Sequence, residues 1–146
     1  MVEIIKPIAK LDQIRSLLDE SGLQVSDISH VHCPLFFGIQ SDSCLIAVIG
    51  LELFGPVGLI RSLAVSKAHR GNRLAHQLVS FAEHYAAERG VDTLFLLTTT
   101  ASVFFQQLGY EQVARSDVPQ AIRTTSQFSS LCPASSDVLS KRIAGG

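Results

Sequence analysis

Six consecutive residues, Arg70-Gly71-Asn72-Arg73-Leu74-Ala75, carry the most specific chemistry in this sequence. They connect an apolar, strand-like run to a long amphipathic segment. Their backbone N–H groups therefore stand at the start of a helix, where the first turn has no intrahelical acceptors and the helix dipole favours an anion. Gly71 lets a ligand approach the backbone closely, and Arg70 and Arg73 add positive charge. Those features suit a phosphate or pyrophosphate cradle. The plainer alternative is a strand-to-helix turn with two solvated arginines, because short glycine-containing matches recur by chance.

Two further charges stand out. Arg61 interrupts the apolar strand before the cradle. A buried arginine needs an anionic partner, and its planar fork suits a carboxylate or a phosphonate-like oxyanion. That partner is either an acceptor molecule or an internal carboxylate, Glu52 or Asp117. Arg123, in a loop, is a second candidate anion binder. Glu52, near the end of the third strand, is the other carboxylate of this sheet, with an edge-strand surface charge as the alternative reading.

The elements that must position these groups follow from periodicity. Leu59, Ile60, Leu63, Ala64 and Val65 form a strand rich in β-formers. From Leu74 the period changes: Leu74, Leu78, Phe81, Ala82, Tyr85 and Ala86 share one helical face. Gly90 suits the position that stops that helix, and Arg89 its negative end. Upstream, Val2 to Ile8 reads as a strand that Pro7 confines to an edge or an end. Leu11, Ile14, Leu17 and Leu18 make a helical stripe closed by Ser21-Gly22. Val25 to Cys33 reads as a loop or short helix. Leu35–Gln40 and Cys44–Phe54 form two strands joined at Ser41-Asp42-Ser43.

Downstream, Asp92–Thr98 is a buried strand parallel to the fourth. A short helix follows, with Phe104, Phe105 and Leu108 on one face and Gly109 as its stop. Tyr110–Arg115 reads as a sixth strand, Thr124–Leu131 as a short helix, and Asp137–Ile143 as the last strand.

At 146 residues the chain reads as one domain, 1–146. Its 47% hydrophobic and 17% charged residues belong to a compact folded protein and exclude a disordered one. A net charge of −1 gives no general attraction to nucleic acid or a membrane surface. No apolar run approaches the roughly 20 residues of a membrane span, and the N-terminus lacks a signal-peptide core, so a cytoplasmic location is expected. Cys33, Cys44 and Cys132 lack CxxC spacing, which suits reduced thiols. The histidines show no metal-binding helix spacing, since His76 and His84 are eight apart, and no metal site is expected.

Strand, Arg-Gly-x-x-x-Ala and long helix together resemble the acetyl-CoA signature of the GNAT N-acetyltransferases. Arg70, Gly71, Asn72, Leu74 and Ala75 fit that signature, whereas Arg73 occupies its central glycine position. There Arg73 either crowds a pyrophosphate or binds it. The aromatic helix that carries Phe104 and Phe105 and ends in Leu108-Gly109-Tyr110 resembles a second hallmark, packed beside the cofactor. Leu97-Thr98-Thr99-Thr100 is similar to the acetyltransferase domain of N-acetylglutamate synthase. Gly50-Leu51-Glu52, Arg61-Ser62-Leu63-Ala64-Val65, Ala121-Ile122-Arg123 and Leu131-Cys132-Pro133-Ala134 look like the small acetyltransferases of arsenic-resistance operons.

The resemblance implies an α/β (α+β) GNAT acyl-CoA N-acyltransferase fold. Its mixed, mostly antiparallel sheet has six to seven strands and about four flanking helices. It implies acetyl transfer from acetyl-CoA, the co-substrate, directly to the amine of a small amino-acid-like acceptor, in arsenic or toxin resistance. The amine must lose its proton to a base or a water route. Backbone N–H groups hold the thioester oxygen, and a hydroxyl protonates the leaving thiolate. Cofactor contacts then fall on Leu63, Ala64, Val65, Arg70, Gly71, Asn72, Arg73, Leu74, Ala75, Phe104 and Phe105. The family tyrosine falls on Phe105 and the synthase's basic Glu on Leu59, so Glu52, Thr98 and Tyr110 are the substitute catalytic groups. Arg61, Thr99 and Arg123 are the acceptor-binding candidates. A homodimer is compatible with this reading. A non-catalytic acyl-CoA sensor is the alternative, and a trivalent-arsenic thiol site of Cys132 with Cys33 or Cys44 is a third.

Overall fold

Two apolar runs separated by polar residues form an antiparallel pair, β2 (Leu35–Ser41) and β3 (Cys44–Phe54). Phe36 lies opposite Gly50 and Gly38 opposite Val48, with a register irregularity between Ile39 and Gln40. The computed structural model describes residues 5–8, 11–20, 35–41, 44–71, 73–125 and 136–143. The expected loop at Val25–Cys33, the helix stop at Ser21-Gly22 and hairpin residues 42–43 lie outside them, as do Cys33 and Cys132.

The other elements are β1 (Lys6–Pro7), α1 (Leu11–Glu20), β4 (Val57–Val65), α2 (Leu74–Glu88), β5 (Thr93–Thr98), α3 (Ser102–Gln107), β6 (Glu111–Gln112), α4 (Gln120–Arg123) and β7 (Asp137–Arg142). The sheet is mixed and mostly antiparallel, with strand order β1-β2-β3-β4-β5-β7-β6. Among the described residues β1 pairs only with β2, which puts Pro7 on an edge strand where its missing N–H costs least. The chain divides into two compact units, residues 1–51 with 62–84, and residues 52–61 with 85–146.

In the first unit, the α1 stripe of Ile14, Leu17 and Leu18 packs with Ile8, Phe36, Leu45, Val48 and Ala64. α2 keeps the face that its period assigns: Leu74 is 4% exposed, and Leu78 and Ala82 are fully buried. Phe81 of that helix meets the Phe37 ring at 5.0 Å. Gly38 admits no side chain, since a Cβ there would stand 2.7 Å from Leu45 and 2.8 Å from the Ala47 carbonyl.

In the second unit, β4 pairs in parallel with β5 at Val57↔Thr93, Gly58↔Leu94 and Leu59↔Phe95. β7 runs antiparallel to β5 from Thr93↔Arg142 to Thr98↔Asp137. Leu59, Phe95, Val118, Ile122 and Val138 form this unit's core. The α2 terminus behaves as its sequence implies. Gly90 has φ +87, and Arg89 Nη1 donates to the Tyr85 carbonyl at 3.3 Å while its guanidinium lies over the Tyr85 ring.

Four expectations need correction. Of the opening strand expected at Val2–Ile8, only Lys6–Pro7 is strand among the described residues. Arg123, expected in a loop, is the last residue of a helical turn. The sixth strand is only Glu111–Gln112, not Tyr110–Arg115, because the chain turns into a 3-10 helix at Arg115–Asp117. The next helical turn is Gln120–Arg123, upstream of the expected Thr124–Leu131, of which residues 126–131 lie outside the described set. Pro119 presets the backbone at its start, and Ile122, fully buried, anchors it.

Candidate functional site

β4 ends at Val65, and the backbone then makes one 3-10 turn, Lys67–His69, before the glycine. Ser66 N–H donates to the Ile46 carbonyl at 2.8 Å, and His69 N–H to the Ser66 carbonyl at 3.0 Å. Arg70 is extended, with φ −70 and ψ 151. Its Nε donates to the Val65 carbonyl at 3.1 Å, which leaves the guanidinium's four other N–H donors for other partners.

Gly71 follows at φ +89, and a Cβ at this position would meet nothing within 4 Å. Arg73 takes φ +61 and is exposed, and its carbonyl accepts the Gln77 N–H at 3.1 Å, the first turn of α2. Asn72 lies outside the described residues. The first turn of α2 contains no acidic residue, although a carboxylate is the usual complement of a helix's positive end. The whole span 53–82 contains no Asp or Glu. The arrangement is an open backbone turn at the positive end of a 15-residue helix, flanked by Arg70 and Arg73. It fits a bulky polyanion. Lys67, His69 and Ser66 belong to this turn and were not singled out from the sequence, where the carboxylate-free span 53–82 is the one signal that marks the region as a whole.

Arg73 is one of two non-glycine residues at positive φ among those described; the other is Ser62. A left-handed L-residue costs roughly 1–2 kcal/mol, of which glycine's greater unfolded-state freedom returns about 0.5–1 kcal/mol. Arg73→Gly is therefore expected to raise folding stability by up to about 1 kcal/mol. The urea midpoint at constant slope measures this, and a lower midpoint would refute it.

The second unit holds the other candidates. Arg61 lies two residues past the last β4–β5 pair, beside left-handed Ser62. Its side chain is 1% exposed, and its Nη1 lies 3.8 Å from Oε2 of Glu52, which is 26% exposed. Of the two internal partners considered for Arg61, the structure pairs it with Glu52. At 3.8 Å the contact is an ion pair longer than a charge-assisted hydrogen bond.

Thr98 Oγ1 accepts the N–H groups of Thr100 (3.3 Å) and Ala101 (2.8 Å), closing the turn that leads into α3. Ser102 Oγ donates to Asp137, which also accepts from Gln112 Nε2 at 3.1 Å. Phe104 and Phe105 stack edge-on at 5.1 Å, and Phe105 meets Tyr110 at 5.5 Å. Tyr110 is 2% exposed and sits within this aromatic cluster. Thr99 and Arg123 are exposed. In the first unit, Cys44 is exposed and lines a concavity of about 380 Å³ with Asp12, Leu17, Glu20 and Leu45. No other candidate site residue lines that concavity.

A model of the acetyltransferase (GNAT) family matches residues 5–110. An uncharacterised N-acetyltransferase of Chlorobaculum tepidum is 38% identical over 63 residues, 43% of this chain and 40% of that protein. The N-acetylglutamate synthase of Neisseria gonorrhoeae, solved with coenzyme A and N-acetyl-glutamate, superposes with TM-score 0.82 at 20% identity, over 99% of this chain. A GNAT-family acetyltransferase of Staphylococcus aureus gives TM-score 0.76 at 14% identity, over 98% of this chain and 100% of that one. The chain spans 36% of the synthase, and these distant likenesses establish the fold.

Proposed function

The chain belongs to the GNAT acetyltransferase family, and from that premise we propose that it is an acetyl-CoA-dependent N-acetyltransferase acting on the amine of a small amino-acid-like acceptor. The observation that carries this reading is the turn before α2, with Gly71 at φ +89, an open Cβ position and no acid in the helix's first turn. Residues 1–146 act as one domain in this reading, in the cytoplasm. An amino-acid-like toxin met in arsenic resistance is the acceptor class that the sequence resemblance suggests.

Acetyl-CoA supplies the acetyl group as an activated thioester. The N–H groups of Gly71, Leu74 and Ala75 hold its pyrophosphate, with Arg70 and Arg73 as counter-charges. Leu63–Val65 in the first unit and the Phe104-Phe105 helix in the second are the further cofactor contacts that the family resemblance implies. If Arg73 is a phosphate ligand, Arg73→Gly weakens acetyl-CoA severalfold while it stabilises the fold, two effects of opposite sign.

Glu52 takes the proton from the acceptor's ammonium group, since a neutral amine is required for attack. Thr98 has already committed its oxygen lone pairs to two N–H groups, so its O–H is the group left to donate towards the departing thiolate. Tyr110 supports it by holding α3 through Phe105. Arg61 holds the acceptor's carboxylate, with Thr99 and Arg123 at the entrance.

The test is kcat/KM for an amino acid and for its carboxamide, in wild type and Arg61→Lys. Lysine keeps the charge but loses the two-point fork. The expected loss on the amino acid is about 1.5–3 kcal/mol, or roughly ten- to a hundredfold, with little change on the carboxamide. Equal losses on both would return Arg61 to a purely internal pair with Glu52. One observation favours a second reading, a non-catalytic acyl-CoA sensor: Phe105 carries no hydroxyl and is 5% exposed. Acetyl-CoA binding without thiol release on any amine would establish the sensor.

A further inference from the structure

The backbone that delivers Gly71 is tied back onto the end of β4 by side chains whose roles the reaction itself does not explain. Ser66 Oγ and His69 Nδ1 lie 2.7 Å apart, a half-buried side-chain hydrogen bond across the 3-10 turn. The same turn is closed in the backbone by His69 N–H to the Ser66 carbonyl, and fixed to β3 by Ser66 N–H to the Ile46 carbonyl. Arg70 Nε bonds the carbonyl of Val65, the residue before Ser66. Four hydrogen bonds therefore converge on residues 65 and 66, and the last residue they restrain is Arg70.

Beyond Arg70 comes Gly71 at φ +89, exposed and without neighbours at its Cβ position. A glycine in such a place is free to sample many backbone conformations. Only the chain on its N-terminal side, and the helix start on its C-terminal side, restrict where its N–H points. An anion site made of backbone N–H groups works only if those groups already point at the anion. Loop ordering on binding otherwise subtracts from affinity.

Resting on the acetyltransferase reading above, we infer that His69 is a positioning residue for acetyl-CoA. Its Nδ1, locked to Ser66 Oγ, pre-forms the Arg70–Gly71 backbone that receives the pyrophosphate. The clip touches neither the acetyl group nor the acceptor, so it acts on cofactor affinity and not on the chemical step.

The test uses the full chain with Ser66→Ala, His69→Phe, His69→Asn and the Ser66→Ala/His69→Phe double variant. Phenylalanine keeps the ring and loses Nδ1. Asparagine has a polar δ atom at the same bonded distance from the backbone and can still meet Ser66 Oγ. Ser66→Ala and His69→Phe are each expected to raise the acetyl-CoA Kd and KM roughly tenfold, with kcat and the acceptor KM within about twofold. The double variant is expected to be no worse than either single one, the signature of one shared contact. His69→Asn is expected to recover most of the affinity.

Wild-type acetyl-CoA Kd in His69→Phe with a lowered melting temperature would make the clip merely structural and overturn the inference. Additive losses in the double variant, or no recovery with asparagine, would overturn it as well. Wild-type protein that bound no acetyl-CoA would bring down the acetyltransferase reading itself, and the inference with it.

Discussion

Replacing Gly71 by Asp should remove most acetyl-CoA binding, while Gly71→Asn should keep the larger part of it. Both substitutions put a similar side chain at φ +89, and Asn and Asp are the L-residues that best tolerate the left-handed region. Neither meets a neighbour, since nothing lies within 4 Å of the Cβ position. The strain is thus shared, and the difference between the two variants isolates the charge. A carboxylate a few ångströms from a pyrophosphate, at a half-solvated site, costs about 1–3 kcal/mol, or roughly ten- to a hundredfold in Kd beyond any effect of asparagine. The penalty should shrink as salt is added, because exposed charges are screened. Isothermal calorimetry of the two variants at low and high salt measures this. Equal affinities for Asp and Asn would place the pyrophosphate elsewhere.

Glu52→Gln should be the most damaging change to catalysis, lowering kcat/KM by about 10²- to 10⁴-fold, the range for loss of a general base. The amide cannot take the acceptor's proton, but its carbonyl oxygen can still face the Arg61 guanidinium. The Arg61 side chain is 1% exposed and loses its counter-charge, so some stability is lost too. Removing one partner of a fully buried pair costs about 3–5 kcal/mol. Glu52 is 26% exposed and glutamine keeps one acceptor, so the loss should fall well below that range. Acetyl-CoA affinity should change little, because Glu52 is not among the residues assigned to hold the cofactor. Activity is therefore to be compared at a temperature where both proteins are folded, with acetyl-CoA binding as the control. A variant that kept more than a tenth of wild-type kcat/KM would remove Glu52 from the base role and leave it as the counter-ion of Arg61.

The parts of this fold legible in the sequence are those where a local pattern and the tertiary environment agree. Leu74, Leu78 and Ala82 repeat at helical spacing and are buried on one face. Gly90 and Gly109 stop their helices at φ +87 and +99. The parallel pairing of β4 with β5 followed from the helix between them. What stayed hidden depends on partners distant in sequence. The strand expected at Tyr110–Arg115 is there but shrinks to Glu111–Gln112, a length set by its pairing with β7 and not by local pattern. Arg61 could be read as needing an anion, yet the choice of Glu52 over Asp117 is a matter of register across the hairpin. Ser62 at φ +59 has no sequence signal, since serine is not a residue that seeks the left-handed region. The cradle's glycine was legible. The clip behind it was not, because a serine and a histidine three residues apart look like any polar turn.

The two outer strands have a consequence for how this protein behaves at high concentration. β1 is two residues long and contains a proline; β6 is two residues long and carries Glu111. Open sheet edges are where foreign strands add and fibrils seed. On the described residues, each outermost strand itself offers an incoming strand two residues of ladder, one of the four without an N–H and another negatively charged. Outer strands this short and interrupted disfavour strand addition. Variants that loosen the cradle or the Arg61 pair should therefore lose function long before they lose solubility, which leaves them tractable for the binding and kinetic measurements above.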